Sequence, residues 1–212
     1  MSAPRDSRCR YKECYNCKHQ TDVKVKRCTW VKKTRRIDPS RFVFVDESGA
    51  KTNMIRLRGR CKGGERLHDT APHGHWETTT MIAGLRLDGP AAPMVIEGAT
   101  DAAVFRAYVK HVLTPILREG DIVVVDNLSS HKSPEVEEMI RAVGAELWFL
   151  PPYSPDFNPI EKMWSKIKES LRAIRARCTE ELYEAVRVSL KKVTRKDAIG
   201  WFESCGYRYT KT

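Results

Sequence analysis

At 212 residues and 41% apolar side chains, the chain suits one domain with a real hydrophobic core, not two, and is not a disordered polymer. No apolar run approaches the roughly 18 residues of a membrane span, and Met1 to Arg10 lack the apolar segment of a signal peptide, so a cytoplasmic protein without a membrane partner is expected. The net charge of +11, from 38 basic and 27 acidic residues, points to a polyanionic partner, with nucleic acid the commonest kind.

Residues 1–36 contain no leucine and show neither helical nor strand periodicity, so a poorly ordered or separately packed arm is expected. The first forty residues carry twelve Lys and Arg against four Asp and Glu, and a solvated basic tail has equal weight with DNA contact there. Cys14 and Cys17 form a C-x-x-C near Cys9, Cys28 and His19. Zinc knuckles normally pair with a second Cys or His pair at defined spacing; none follows, so free thiols are favoured over a zinc site.

From Arg41 the texture changes. RFVFVDES reads as a buried strand, and TNMIRLRGR, HWETTTMIAGLRL and APMVIEG as further strands, with the glycine-rich RCKGGERL as a linker. Thr100 is placed to cap a helix, DAAVFRAYVKHVLTPILREG, with Val104, Tyr108, Val112 and Ile116 on one face and Gly120 as its stop. DIVVVDN is a fully apolar strand, Ser133-Pro134 opens a second helix, and AELWFL is another strand. The last third reads as helices over Pro159 to Ala176, Glu180 to Lys192 and Asp197 to Ser204. Strands around Phe44, Val124 and Phe149 are apolar on both faces, as in parallel strands buried under helices. The class is α/β, a mixed sheet with helices packed on it.

Chemistry in such sheets gathers at the carboxyl ends of the parallel strands. FVFV ends in Asp46, IVVV ends in Asp126, and WFL leads through a proline-rich loop to Glu161. Alternation turns Glu47 away from Asp46, and Asp121 falls at the opposite edge of the sheet. Asp156, inside the proline loop, is the competing acid. Asp46 and Asp126-Asn127 could equally form turns, and Glu161 could close a capping box with Asn158 as N-cap and Pro159 at the first helical position. Three clustered carboxylates repel one another, and hard divalent cations such as Mg²⁺ or Mn²⁺ relieve that repulsion. Two such ions serve phosphodiester chemistry on DNA.

DESG at Asp46–Gly49, DNLSSHK at Asp126–Lys132 and LPPYSPDFNPIEKMW at Leu150–Trp164 resemble the DDE transposases of the mariner superfamily, specifically the bacterial insertion-sequence 630 branch. The 34 residues between Asp126 and Glu161 fit that branch, and the likeness runs from about Ile37 to Tyr207. The resemblance implies an RNase H-like fold, a mixed five-stranded sheet with the second strand antiparallel, flanked by helices. It implies a catalytic domain over residues 37–207, with a tail at 208–212. It also implies hydrolysis at transposon ends, strand transfer to a target site, and Mg²⁺ or Mn²⁺ held by Asp46, Asp126 and Glu161. Asn127 and His131 would support the second acid or contact DNA, although His131 could equally be a loop residue satisfied by backbone. The resemblance further implies a homodimer on DNA and a nucleoid-associated bacterial setting. Only 45 residues precede Asp46, and residues 1–36 do not read as helix-turn-helix, so a catalytic half served by a separately encoded helix-turn-helix region is expected.

Arg56, Arg58, Arg60, Lys62 and Arg66 lie between the expected second and third strands, where a basic loop could track phosphates. The polar face of the first late helix adds Lys162, Lys166, Lys168, Arg172 and Arg175, and plain solvation explains that face equally well. An ATPase reading of DIVVVDN fails because no G-x-x-x-x-G-K-[ST] occurs. A host nuclease that cuts without joining, and an inactive transposon remnant that binds DNA or dimerises, remain as alternatives.

Overall fold

The computed structural model describes residues 21–208 apart from 57, 67, 69, 71–76, 129 and 130. Five strands, β1 (Phe42–Lys51), β2 (Thr78–Arg86), β3 (Gly89–Glu97), β4 (Ile122–Val125) and β5 (Glu146–Phe149), form one sheet in the order β3-β2-β1-β4-β5. β2 runs antiparallel to β1 and β3, whereas β1, β4 and β5 are mutually parallel. The expected mixed five-stranded α/β architecture is present.

Strand alternation divides the core in two. Phe42, Phe44, Ile122 and Val124 pack under α4 (Ile160–Ile174), α5 (Thr179–Lys191) and α6 (Arg195–Ser204). Val43, Val45, Val123 and Val125 face α2 (Ala102–Tyr108) and α3 (Pro134–Ala142). Burial on both faces explains why these strands are continuously apolar; each such side chain contributes about 1.5–3 kcal/mol relative to exposure. On α4, Ile160, Met163, Trp164, Ile167 and Leu171 make the expected buried stripe, while Ile174, next to the left-handed Arg175 that ends the helix, is 41% exposed.

Several local expectations change. β1 continues through DESGAK to Lys51 because β2 pairs with it along that whole length. TNMIRLRGR is not a strand among its described residues but belongs to the connection between β1 and β2. Its alternation has no partner to satisfy its backbone, and the basic cluster sits one strand earlier than expected. The helix after β3 is capped by Asp101, whose Oδ1 accepts from the Val104 amide at 2.8 Å, not by Thr100. It also breaks well before Gly120. Pro115 lacks an amide and crowds the carbonyl four residues back, so the chain widens into a π turn at Val109–Leu113 and a 3-10 turn at Thr114–Ile116.

The largest difference is at the front. Residues 1–20, with Cys9, Cys14 and Cys17, and residues 209–212 lie outside the described residues. Thr21–Thr34, expected to lack regular structure, form helix α1. It is largely polar and buries only a narrow strip containing Val23, Trp30 and Thr34, too thin to register as periodicity. Trp30 Nε1 donates to Tyr207 Oη at 3.0 Å, and Tyr207 Oη donates to the Phe157 carbonyl at 2.8 Å. Cys28 is exposed on this helix. No described helix is long and apolar enough to cross a membrane.

Candidate active site

The register of the parallel strands places the first two acids. β1 pairs with β4 at Phe42 with Ile122, Val43 with Val123 and Phe44 with Val124. Continuing by two residues past that register brings Asp46, on the Phe44 face that α4 covers, level with Asp126 at the carboxyl edge. Leu150, after β5, donates its amide to the Val125 carbonyl at 2.9 Å, which starts the proline loop beside Asp126. That loop turns through Pro155–Phe157 and enters α4, with Glu161 in its first turn.

The capping role considered for Glu161 is not found. Pro159 occupies the N-cap position, no side chain caps the helix, and Asn158 is buried just before it. Glu161 is exposed on the first turn, close enough for its charge to act on Asp46. Asp156 is also removed from contention, because Arg27 on α1 holds both of its oxygens, at 2.9 and 2.6 Å. Asp121, at the opposite end of β4, is buried in an ion pair with Arg86, with the closest approach 2.5 Å.

Electrostatics separate the two aspartates. Burial and the nearby charge of Glu161, joined by those of Glu47 and Asp126, push the Asp46 carboxyl up to about 8, although it accepts the Glu47 amide at 2.8 Å. Burial pushes Asp126 upward too, but the His131 ring and the Leu128 amide outweigh it and hold that carboxyl below the usual range. His131, whose side chain is fully buried, would be driven down by burial alone. The Asp126 and Glu47 carboxylates reverse that and raise it to about 9. Its Nε2 lies 3.0 Å from Glu47 Oε1. Its Nδ1 lies 2.7 Å from Asp126 Oδ1 but is not aligned for a hydrogen bond, so that contact is chiefly ionic.

His131 is therefore not a loop residue satisfied by backbone: its ring is buried and two carboxylates flank it. Asn127 is exposed, as are Arg56, Arg58, Arg60 and Lys62 in the β1–β2 connection. On α4, Lys162 bonds Ser204, and Lys166 pairs with Asp197 at 2.6 Å. Glu47 points away from Asp46, as alternation dictates, yet it joins Asp126 through His131. The D-x4-H spacing after β4 was the available signal for that link, with an acid following Asp46 on the opposite face.

Among the described residues, no three His, Cys, Asp or Glu side chains stand close enough to hold an ion as placed. The donor set nonetheless suits a hard divalent cation. Asp46, Asp126 and Glu161 offer carboxylate oxygens around one strand edge, and the Asp46 carboxyl, pushed up first by burial and then by the charge of Glu161, meets a repulsion that a cation would relieve.

A family model described as DDE superfamily endonuclease matches residues 41–183, from the start of β1 into α5. The chain belongs to this family. It is 26% identical over 124 residues to the Transposable element Tcb1 transposase of Caenorhabditis briggsae, covering 56% of this chain and 45% of that protein. The Tcb2 transposase of the same organism is 25% identical over 96 residues, covering 43% and 35%. The chain thus spans less than half the length of these curated relatives. Among solved structures, the fold resembles a pre-cleavage Mos1 transpososome, with a TM-score of 0.69 and 15% identity over 89% of this chain and 63% of that one. It also resembles the catalytic domain of Mos1 mariner transposase, at 0.60 and 14% over 89% and 94%. The DDE match covers every strand and both aspartates, whereas α1 and Tyr207, which brace the proline loop, lie outside it.

Proposed function

We propose that this chain is the catalytic unit of a DNA transposase of the bacterial insertion-sequence 630 branch, with Asp46, Asp126 and Glu161 as its metal-binding triad. The observation that carries the reading is the level placement, by strand register, of Asp46 and Asp126 at one carboxyl edge, where the charge of Glu161 acts on Asp46. The three carboxylates would hold two Mg²⁺ or Mn²⁺ ions. Solved Mos1 complexes described as containing Mn or Mg accord with such ions. Bound there, the ions supply activation of the attacking oxygen and stabilisation of the leaving oxygen.

The chain's own residues supply position and charge. The repulsion on Asp46 would be relieved by a cation held there, and His131 beside Asp126 favours its ionised form. The stiff lead-in at Pro151, Pro152, Pro155 and Pro159 limits where Glu161 can sit. In cleavage, water attacks the phosphorus at the transposon end; the P–O3′ bond breaks and the 3′-oxygen leaves as a hydroxyl. In transfer that hydroxyl attacks a target phosphodiester, whose own 3′-oxygen departs. The exposed arginines of the β1–β2 connection would track DNA phosphates, and a helix-turn-helix region, separately encoded or joined to this domain, would read the ends. A homodimer would pair two ends in the nucleoid, in keeping with solved Mos1 paired-end complexes.

The test is supercoiled-plasmid nicking with Mg²⁺ or Mn²⁺, together with joining of a 3′-hydroxyl oligonucleotide. Wild-type activity that Asp126→Asn lacks supports the triad; equal nicking by both overturns it. Nicking without joining favours a nuclease.

A further inference from the structure

We propose that Glu47 is a positioning residue of this site, acting through His131 to fix the Asp126 carboxylate for a divalent cation. The inference rests on the reading of Asp126 as a metal ligand given above.

Strand β1 carries two consecutive acids to opposite sides of the sheet. Asp46 faces α4, and Glu47 enters the second core with Val43 and Val45, under α2 and α3. There the Glu47 side chain is 16% exposed, and its charge adds to burial in pushing up the Tyr108 hydroxyl, itself buried without a hydrogen-bond partner. A carboxylate in such surroundings costs several kcal/mol unless it is paired, and an apolar side chain of similar size would pack the space at least as stably. Its partner is His131, whose ring is fully buried and packed at a tilt against Phe105, with ring centres 4.2 Å apart.

The two ring nitrogens face different strands. Nε2 meets Glu47 Oε1 at 3.0 Å, and Nδ1 meets Asp126 Oδ1 at 2.7 Å. With a carboxylate at each end, the ring links the end of β4 to β1 through side chains. The Leu128 amide, at 3.1 Å, approaches the same Asp126 oxygen. Both contacts therefore use Oδ1, and Oδ2 has no protein partner among the described residues. One oxygen is anchored and the other is presented. Outer partners of this sort orient a ligand and set metal affinity without touching the ion, and their loss typically weakens affinity about 10- to 100-fold. Without Glu47, the Nε2 end of the ring loses its carboxylate partner, and its hold on Asp126 is less well fixed.

The readout is Mn²⁺ affinity, by calorimetry and by electron paramagnetic resonance of the bound ion, on the whole chain without DNA, with Tm measured alongside. Asp126→Asn should remove most binding. Glu47→Leu should weaken it about tenfold. Glu47→Gln, which keeps an acceptor for Nε2–H, should recover most of that loss. In a His131→Phe background, Glu47→Leu should add no further loss, because the two act as one unit. If Glu47→Leu does not fold, Glu47→Asp decides: it keeps the charge but stops about one methylene short of Nε2 and should bind Mn²⁺ more weakly than Glu47→Gln. Unchanged Mn²⁺ affinity in Glu47→Leu, whatever its Tm, overturns the inference, as do independent losses in the double variant or wild-type affinity in Glu47→Asp. Binding that survives Asp126→Asn overturns the metal-site reading itself. Dependence on Asp126 with indifference to Glu47 overturns only the positioning role.

Discussion

Arg27 on α1 grips Asp156 in the proline loop with both arms of its guanidinium, at 2.9 and 2.6 Å, while one arm also reaches Ser154 at 2.7 Å. The cation also lies over the Phe157 ring, 4.4 Å from its centre. A helix outside the DDE match thus braces the loop that delivers Glu161. Arg27→Lys keeps the charge but cannot fork, and Asp156 is half exposed, so the loss should be modest, about 1 kcal/mol. The measurements are Tm and limited proteolysis. Cleavage within 152–158 should accelerate; unchanged cleavage would mean the fork does not restrain the loop.

The same loop is held from the C-terminal side by Tyr207, whose hydroxyl accepts from Trp30 and donates to Phe157. Tyr207→Phe leaves two polar groups unpaired in a largely buried place, a loss of about 1–3 kcal/mol in chemical denaturation. An unchanged midpoint would show that solvent replaces both partners.

Asp46 should make the metal-free protein sensitive to alkali. Its folded carboxyl titrates at about 8, against about 4 when unfolded, so the folded chain holds that proton more tightly. The resulting stability is complete below about pH 4 and is lost as pH rises toward 8. Asp46→Asn should remove that decline and raise Tm at pH 9 by about 5 °C. Mg²⁺ should raise the wild-type Tm and barely move the variant's. A variant no more stable than wild type at pH 9 would contradict the crowding of charge around Asp46.

Asp197 behaves in the opposite sense. Lys166 and the Thr194 amide and hydroxyl hold its carboxyl down at about 2, as part of the capping box that starts α6. Stability from this group is present above about pH 4 and is lost as pH falls toward 2. Asp197→Ala should cost about 1 kcal/mol at pH 7 and nothing at pH 2, since the cap is surface-lying. An equal cost at both pH values would assign the effect to packing.

If the exposed β1–β2 connection tracks phosphates, replacing Arg56, Arg58 and Arg60 together by Gln should weaken DNA binding uniformly across sequences. It should also reduce the slope of log K against log salt by about 3. An unchanged slope would return these side chains to plain solvation.

The sheet and its edge acids were legible because their signals are strong and local. Phe42–Val45 and Ile122–Val125 are apolar at every position, and a carboxylate directly after each run stands out. The helix α1 was not, because a helix that buries so few side chains leaves almost no period. The alternation in TNMIRLRGR misled for the converse reason: pattern without a partner strand is not a strand, and pairing is decided elsewhere in the chain. His131 was visible as a residue but not in its role. Its meaning depends on Glu47, 84 positions away, arriving from a neighbouring strand on the second face of the sheet.

The adjacent acids of β1 make the site respond differently to substitution and to deletion. Losing one residue between Phe42 and Val45 would step the strand back by one position and exchange its sides. A carboxylate would still occupy the place of Asp46, supplied by the glutamate with one methylene more, while His131 would lose one of its two anions. Composition and charge would be almost unchanged, yet the carboxylate would stand roughly 1.3 Å too far forward and Asp126 would be less firmly held. This edge of the sheet should therefore tolerate changes of residue type in its hydrophobic lead-in far better than any change in that lead-in's length.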